Sequence, residues 1–383
     1  MIRVRLFAVL RELAGESFVE ADGGSVEQVV QVLCDRYGER FTVVVRSSSV
    51  VVDGERASLD RVLSGSEEVA ILPPVSGGAA KRPKRVLLVV NPRARSVSDS
   101  TVDVIEKALS ADFKLDVAET VRRGHGAEAA REAVGAGYQM IVVFSGDGTI
   151  NEVVNGIVGT DVALGIIPGG ATNVFARILG LPTDPVEATG VLIRLALGAR
   201  ARRVHVGNAN GRYFVINCGA GLDAAVMARV EERSPRSKLS HEREALFAAL
   251  KATNDYIGKQ PALTVRIDDG LELAAVSVLI GKLNPYAYFK NWGLRLHPRA
   301  SLEGGLDVLA VQRLPRLAVP KVVYQMFVSG DLASNKNMEY AHDVSHVEIA
   351  GGKPFPVQVD GDYVGEHDAL DVQLVRDALW VVA

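Results

Sequence analysis

Between residues 86 and 177 apolar runs alternate with segments of helical spacing, and each run ends in a loop rich in Gly, Asn, Ser or Thr. Such alternation argues for a parallel sheet with right-handed helical crossovers. In open sheets of this kind ligands bind beyond the carboxyl ends of the strands, where all these loops fall. The most informative loop is Ser145-Gly146-Asp147-Gly148-Thr149-Ile150-Asn151-Glu152, after the apolar run 140–144. Two glycines flanking an acid let a ligand approach the backbone, and the amides of the following helix start suit phosphate oxygens. Thr149 and those amides are read as the phosphate contacts. Asp147 either holds a magnesium-bound water or orients the turn.

Asp-Gly is also a common turn dipeptide, so this loop alone fits a plain connection equally well. A second glycine-rich turn, Pro168-Gly169-Gly170-Ala171-Thr172-Asn173, follows the run 164–167, and Asn91-Pro92-Arg93-Ala94-Arg95-Ser96 follows the run 86–90. Two such turns on neighbouring strands make one crevice. Ser100, with Asp103 three residues on, is expected to cap a helix carrying Val102, Ile105 and Leu109 on one face.

The chain here resembles the diacylglycerol kinase catalytic family of lipid kinases, which includes sphingosine kinases and related bacterial enzymes. The resemblance spans residues 85 to 383. It rests on Asn91-Pro92, Thr120 with Gly124-His125, Ser145 to Glu152, Pro168 to Arg177, Asn217-Cys218-Gly219-Ala220-Gly221-Leu222-Asp223, and Val359-Asp360-Gly361-Asp362. The NAD kinase relatives of this fold are not expected to supply that last Asp-Gly-Asp. The family implies an α/β nucleotide domain at 85–205 and a β-rich domain at 206–383 whose last strand, near 371–382, returns to the first. It implies ATP with Mg2+, the phosphates lying over Gly146 to Thr149, and a pocket lined by Asn91, Thr120 and Thr172. Pro92, Asn151, Glu152, Gly170 and Asn173 belong to the same nucleotide-binding set, and a lipid hydroxyl is the acceptor. The acid after Asp-Gly, here Asp362, is implied as the base that takes the hydroxyl proton; one carboxylate plus magnesium on the phosphates suffices for phosphoryl transfer. Taken alone, Asp360-Gly361-Asp362 reads as a plain hairpin turn.

The departures are specific. Ser145 stands where the family has glycine, which is tolerable unless the backbone there needs positive φ. The hydroxyl expected after Gly170 is displaced to Thr172, and Val174 replaces an aspartate of many members. Gly304 replaces an aspartate of a structural magnesium site in some bacterial relatives, so that metal is not expected.

At the amino end Ile2-Arg3-Val4-Arg5-Leu6 alternates like a half-buried strand. Ser25 with Gln28 forms a capping box for a helix with Val26, Val29, Val30, Leu33 and Tyr37, and Gly38 supplies its stop. Further strands are expected at 42–45, 50–52 and 69–72. A β, helix, β module ending in Pro73-Pro74-Val75-Ser76-Gly77-Gly78 resembles the MoaD/ThiS ubiquitin-like sulfur carriers over residues 1–78, including Phe7-Ala8 and Arg11-Glu12-Leu13. The whole chain therefore reads as an α/β multidomain protein: an N-terminal β-grasp domain, a linker at 79–84, then the two-domain NAD-kinase/diacylglycerol-kinase-like fold. In the carrier family an adenylating, sulfur-transferring partner converts the terminal glycine carboxylate to a thiocarboxylate. Here 305 residues follow Gly78. The Gly77-Gly78 pair is a cleavage site releasing a carrier, the end of a docking module, or an ordinary linker.

The net charge of −3 gives no indication of a nucleic-acid partner. Cys34 and Cys218 read as buried small hydrophobes in a reducing cytosol. No run of 18 apolar residues and no signal peptide appears, so a membrane-dissolved lipid would be reached peripherally from the inner face. The basic stretch 229–243 with Ala245-Leu246-Phe247-Ala248-Ala249-Leu250 is either an amphipathic anchor or a loop before a core helix. From about 206 strands dominate, at 213–217, 262–267, 271–280, 306–311 and 346–359. His125 falls in a family motif near the nucleotide, while His205 and His297 read as structural. The reading is an ATP-dependent lipid kinase fused to a carrier-like domain. The alternatives are a carrier or docking protein with an inactive kinase-like part, and a kinase of a soluble hydroxyl compound.

Overall fold

The computed structural model describes residues 1–46, 48–53, 55–65, 67–72, 84–232, 241–289 and 292–383. Two compact units, Met1–Arg82 and Pro83–Ala383, are described in turn.

In the first unit a five-stranded sheet runs in the order Phe18–Ala21, Ile2–Leu6, Glu68–Leu72, Ser49–Val52, Glu55–Ala57. Ile2–Leu6 and Glu68–Leu72 pair in parallel and the other pairs are antiparallel, which is the β-grasp arrangement. Alternation works as expected: Ile2, Val4 and Leu6 point into the core, where Val26, Val29 and Leu33 of helix Val26–Tyr37 cover them. Ser25 Oγ accepts from Gln28 N, while Gln28 Oε1 reaches back to Gly24 N rather than to Ser25. The strand expected at 42–45 is instead part of helix Glu39–Arg46. Phe41 and Val45, one helical turn apart, are both buried, so tertiary packing overrides the β preference of the Thr-Val-Val-Val run. Gly38, at φ 82°, separates the two helices. Gly77, Gly78 and residues 79–83 of the linker lie outside the described residues.

In the second unit Lys114–Glu119, Arg85–Val90, Met140–Ser145 and Ala163–Pro168 form a parallel block. Alternate residues of the central strand feed opposite cores. Leu87 and Val89 face the layer holding helices His125–Gly135 and Asp147–Ile157; Val86, Leu88 and Val90 face Asp99–Ser110 and Pro185–Leu197. Helix Asp99–Ser110 is capped by Ser98, whose Oγ accepts from Thr101 N, and not by Ser100.

The remaining strands form a β-sandwich-like region with its own core. Strand Asp362–Val382 joins the regions: it pairs antiparallel with His346–Val359 and Ala201–Ala209, and its end pairs in parallel with Ala163–Pro168. Two expected strands are broken. The 213–217 segment splits into Arg212–Phe214 and Asn217–Ala220 because the Asp360 carboxylate takes the N–H groups of Val215, Ile216 and Asn217. The 271–280 segment splits at Val276, where the chain changes pairing partner. Helix Val319–Tyr324, extended to Ser329, has no counterpart in the sequence reading. No helix of the described residues is long and apolar enough to cross a membrane.

Candidate active site

Three strand-end turns converge. Gly169 N donates to Ser145 O at 2.8 Å, and Ser96 N donates to Gly169 O at 2.9 Å. Gly146 and Gly170 touch so closely that a Cβ on Gly170 would lie 2.6 Å from Gly146 Cα. Ser145 sits inside strand Met140–Ser145, not at a positive φ, so its side chain causes no strain. Its Oγ donates to Thr149 Oγ1 at 2.8 Å, and Asn91 Nδ2 donates to the same oxygen at 3.5 Å. Gly146 caps helix Asp147–Ile157 and Gly148 is exposed in its first turn, whose amides lack intrahelical partners. Thr172 is exposed, Thr120 is half-buried, and Pro92 lies exposed beside Asn91. His125 Nδ1 accepts from Val121 N.

Of the two roles open to Asp147, the geometry carries the orienting one. One carboxylate oxygen accepts from Val174 N and Thr172 Oγ1, the other from Phe175 N, so the first turn staples the second. Asn173, at φ 48°, closes that turn by exchanging hydrogen bonds between its side chain and Gly170.

Two residues placed with the nucleotide contacts have protein partners in this structure. Glu152 accepts from Gly124 N at 2.7 Å and Gly126 N at 2.9 Å, fixing the 120–126 loop to the phosphate-turn helix. Asn151 is buried; its Nδ2 donates to Tyr213 O and Asp360 Oδ2, and its Oδ1 accepts from Arg212. A motif fixes that a residue is polar, not whether it meets a ligand or a backbone donor.

Asp360 and Gly361, at φ 48° and 84°, form a two-residue hairpin turn with Val359 opposite Asp362. The hairpin reading therefore holds, with Asp362 the first residue after the turn. Burial pushes the Asp360 carboxyl up to about 6, against the pull of the N–H groups of Val215, Asn217 and Ile216. Gln358 Oε1 accepts from Gly361 N, and Gln358 Nε2 donates to Asp223 and Tyr286, so a buried network supports the turn. The Asp362 carboxylate, half-buried, meets Arg212 at 2.6 Å and Arg123 at 3.3 Å. Neither arginine carries a sequence signal. Arg212 thus ties the Asp362 carboxylate to Asn151 on the helix that opens at the glycine turn, and an acid linked in this way to a phosphate-type turn is the arrangement of a phosphotransferase.

Residues 85–209 match the diacylglycerol kinase catalytic domain family, and residues 217–383 match the YegS C-terminal NAD kinase beta sandwich-like domain. Residues 4–78 match the ThiS family. A diacylglycerol kinase of Staphylococcus carnosus is 30% identical over 295 residues, covering 75% of this chain and 91% of that protein. A Chromohalobacter salexigens protein named "Probable lipid kinase YegS-like" is 31% identical over 292 residues, covering 73% and 88%. The crystal structure of a diacylglycerol kinase from Bacillus anthracis str. Sterne superposes with TM-score 0.60 at 22% identity over 79% of this chain and 98% of that one, which establishes the common fold. The chain belongs to the diacylglycerol kinase family, and with it to the ATP-dependent lipid kinases that phosphorylate an alcohol group.

Proposed function

We propose that the second unit transfers the γ-phosphoryl group of ATP to the hydroxyl of a diacylglycerol or long-chain-base type lipid, with Asp362 as the base. The observation that carries this is a groove of about 960 Å³ between helices Leu222–Glu231 and His241–Tyr256 and strand His346–Val359. Ala225, Leu263, Val276, Phe355 and Tyr363 line it together with charged side chains that include Arg229, Asp255, Lys259 and Glu366, and Tyr363 follows Asp362 in strand Asp362–Val382. A groove of mixed apolar and charged walls, beside the strand that carries Asp362, suits an amphipathic acceptor with an apolar chain and a polar head. Arg212 holds Asp362 in place; Arg123 offsets charge near the transferring group.

Magnesium fits as the partner of the ATP phosphates, where it neutralises their charge. Asp147, whose carboxylate also orients the second turn, would hold the ion through water. Labelled ATP offered with diacylglycerol, a long-chain base or a soluble polyol in mixed micelles tests the reading. Label in a lipid phosphate is expected; label in the polyol alone would overturn it.

For the first unit we propose a docking role with the diglycine uncut, a reading supported by the 305 residues that follow Gly78. Intact mass of protein from its own host decides this: a species ending at Gly78, with sulfur in place of a carboxylate oxygen, would make the unit a working carrier.

A further inference from the structure

The segment from Gln312 to Gly330 carries Arg313, Arg316 and Lys321 and no acidic residue. Its helix, Val319–Tyr324 continued to Ser329, is apolar on its inner side and, apart from Lys321, largely apolar on its outer side. Val319, Val322 and Met326 pack inward on the cluster of Leu309, Val311, Leu314 and Leu332. The outer side presents Leu317, 95% exposed, with Tyr324, Val323 and Val328. Trp292, 62% exposed on the hairpin Ala287–Phe289/Trp292–Leu294, adjoins them: it shares a surface depression with Arg295, Phe327 and Val328, and Arg295 N donates to Met326 O. Scattered exposed apolar side chains need no explanation, but a set gathered on one short segment and the adjoining hairpin, interspersed with Arg295, Arg313, Arg316 and Lys321, does.

We propose that this surface, Trp292 with the 313–329 segment, is where the enzyme docks on an anionic lipid bilayer. The inference rests on the lipid-kinase reading only in that the acceptor must be reached in a membrane. Tryptophan and tyrosine beside leucine and valine suit the interfacial layer, and basic residues in excess over the one adjoining acid, Asp331, complement anionic headgroups. Some five outward apolar side chains are far fewer than the roughly 20–30 residues a side of a standard protein interface. The contact lies outside the 229–250 stretch that the sequence suggests.

The test is co-sedimentation of the full chain with vesicles of phosphatidylcholine alone and of phosphatidylcholine with one quarter phosphatidylglycerol, alongside turnover on detergent-dispersed lipid. Wild type binds the anionic vesicles preferentially. Leu317→Glu with Tyr324→Glu lowers that binding at least tenfold while micellar turnover and melting temperature stay unchanged. Arg316→Glu with Lys321→Glu, which keeps the apolar face, lowers binding to the anionic vesicles only. Variants that sediment like wild type would overturn the inference. So would a wild-type dimer in solution that the first pair of substitutions makes monomeric, because the face would then belong to a second copy. If wild type phosphorylates no lipid in detergent yet binds vesicles through this face, the docking inference stands and the substrate reading falls.

Discussion

The Asp362 carboxylate accepts a 2.6 Å hydrogen bond from the Arg212 guanidinium, which also donates to Asn151 Oδ1 at 2.9 Å. The proposed base is thereby tied to the helix that opens at the phosphate turn. Arg212→Lys keeps the charge but cannot bridge both partners. Its kcat should fall by about ten- to a hundredfold, the scale of a small misplacement at a reacting centre, with KM for ATP unchanged. Steady-state kinetics in both substrates check the split.

Contact between the two glycine turns sets a second expectation. A Cβ at Gly170 meets the backbone of Gly146 at 2.6 Å, whereas nothing lies within 4 Å of one at Gly148. Gly170→Ala should lower both melting temperature and ATP affinity, the latter at least tenfold by calorimetry. Gly148→Ala should leave the melting temperature unchanged.

Glu152 binds two amides at the start of helix His125–Gly135. Glu152→Ala leaves both donors without that acceptor, at a cost of about 1–3 kcal/mol. It also loosens the loop bearing Thr120 and Arg123. Urea denaturation should show the loss of stability, and KM for ATP should rise more than that for lipid.

Burial lowers the His297 pKa to about 4; its Nε2 faces Leu279 O, and its Nδ1 has no hydrogen-bond partner among the described residues. The folded value lies below the unfolded one, near 6.5, so between these pH values the unfolded chain binds the proton and the folded chain does not. Stability is therefore lost as pH falls from about 6.5 towards 4, by about 3 kcal/mol from this group. Against wild type, His297→Gln should flatten that part of a denaturation-versus-pH curve.

The three strand-end turns were legible because each follows an apolar strand and two of them need glycine where they touch, and Asp360-Gly361 because few other pairs suit that turn. Register and helix–strand choice were not. Nothing local in Thr42-Val43-Val44-Val45 reports that Phe41 and Val45 fill one core. Arg212 escaped notice because its partners Asn151 and Asp362 lie 61 and 150 residues away. Asn151 and Glu152 carried the right polarity, but their protein partners come only with the fold.

The account's central claim is that Asp362 removes the acceptor's proton while the three turns hold ATP independently. Asp362→Asn tests it most directly, with turnover on dispersed lipid and ATP affinity measured on the same preparation. Turnover should fall by about 10²–10⁴-fold, the usual contribution of a general base, with ATP affinity within a factor of two or so of wild type. Turnover within tenfold of wild type, or ATP binding lost along with it, would contradict the account.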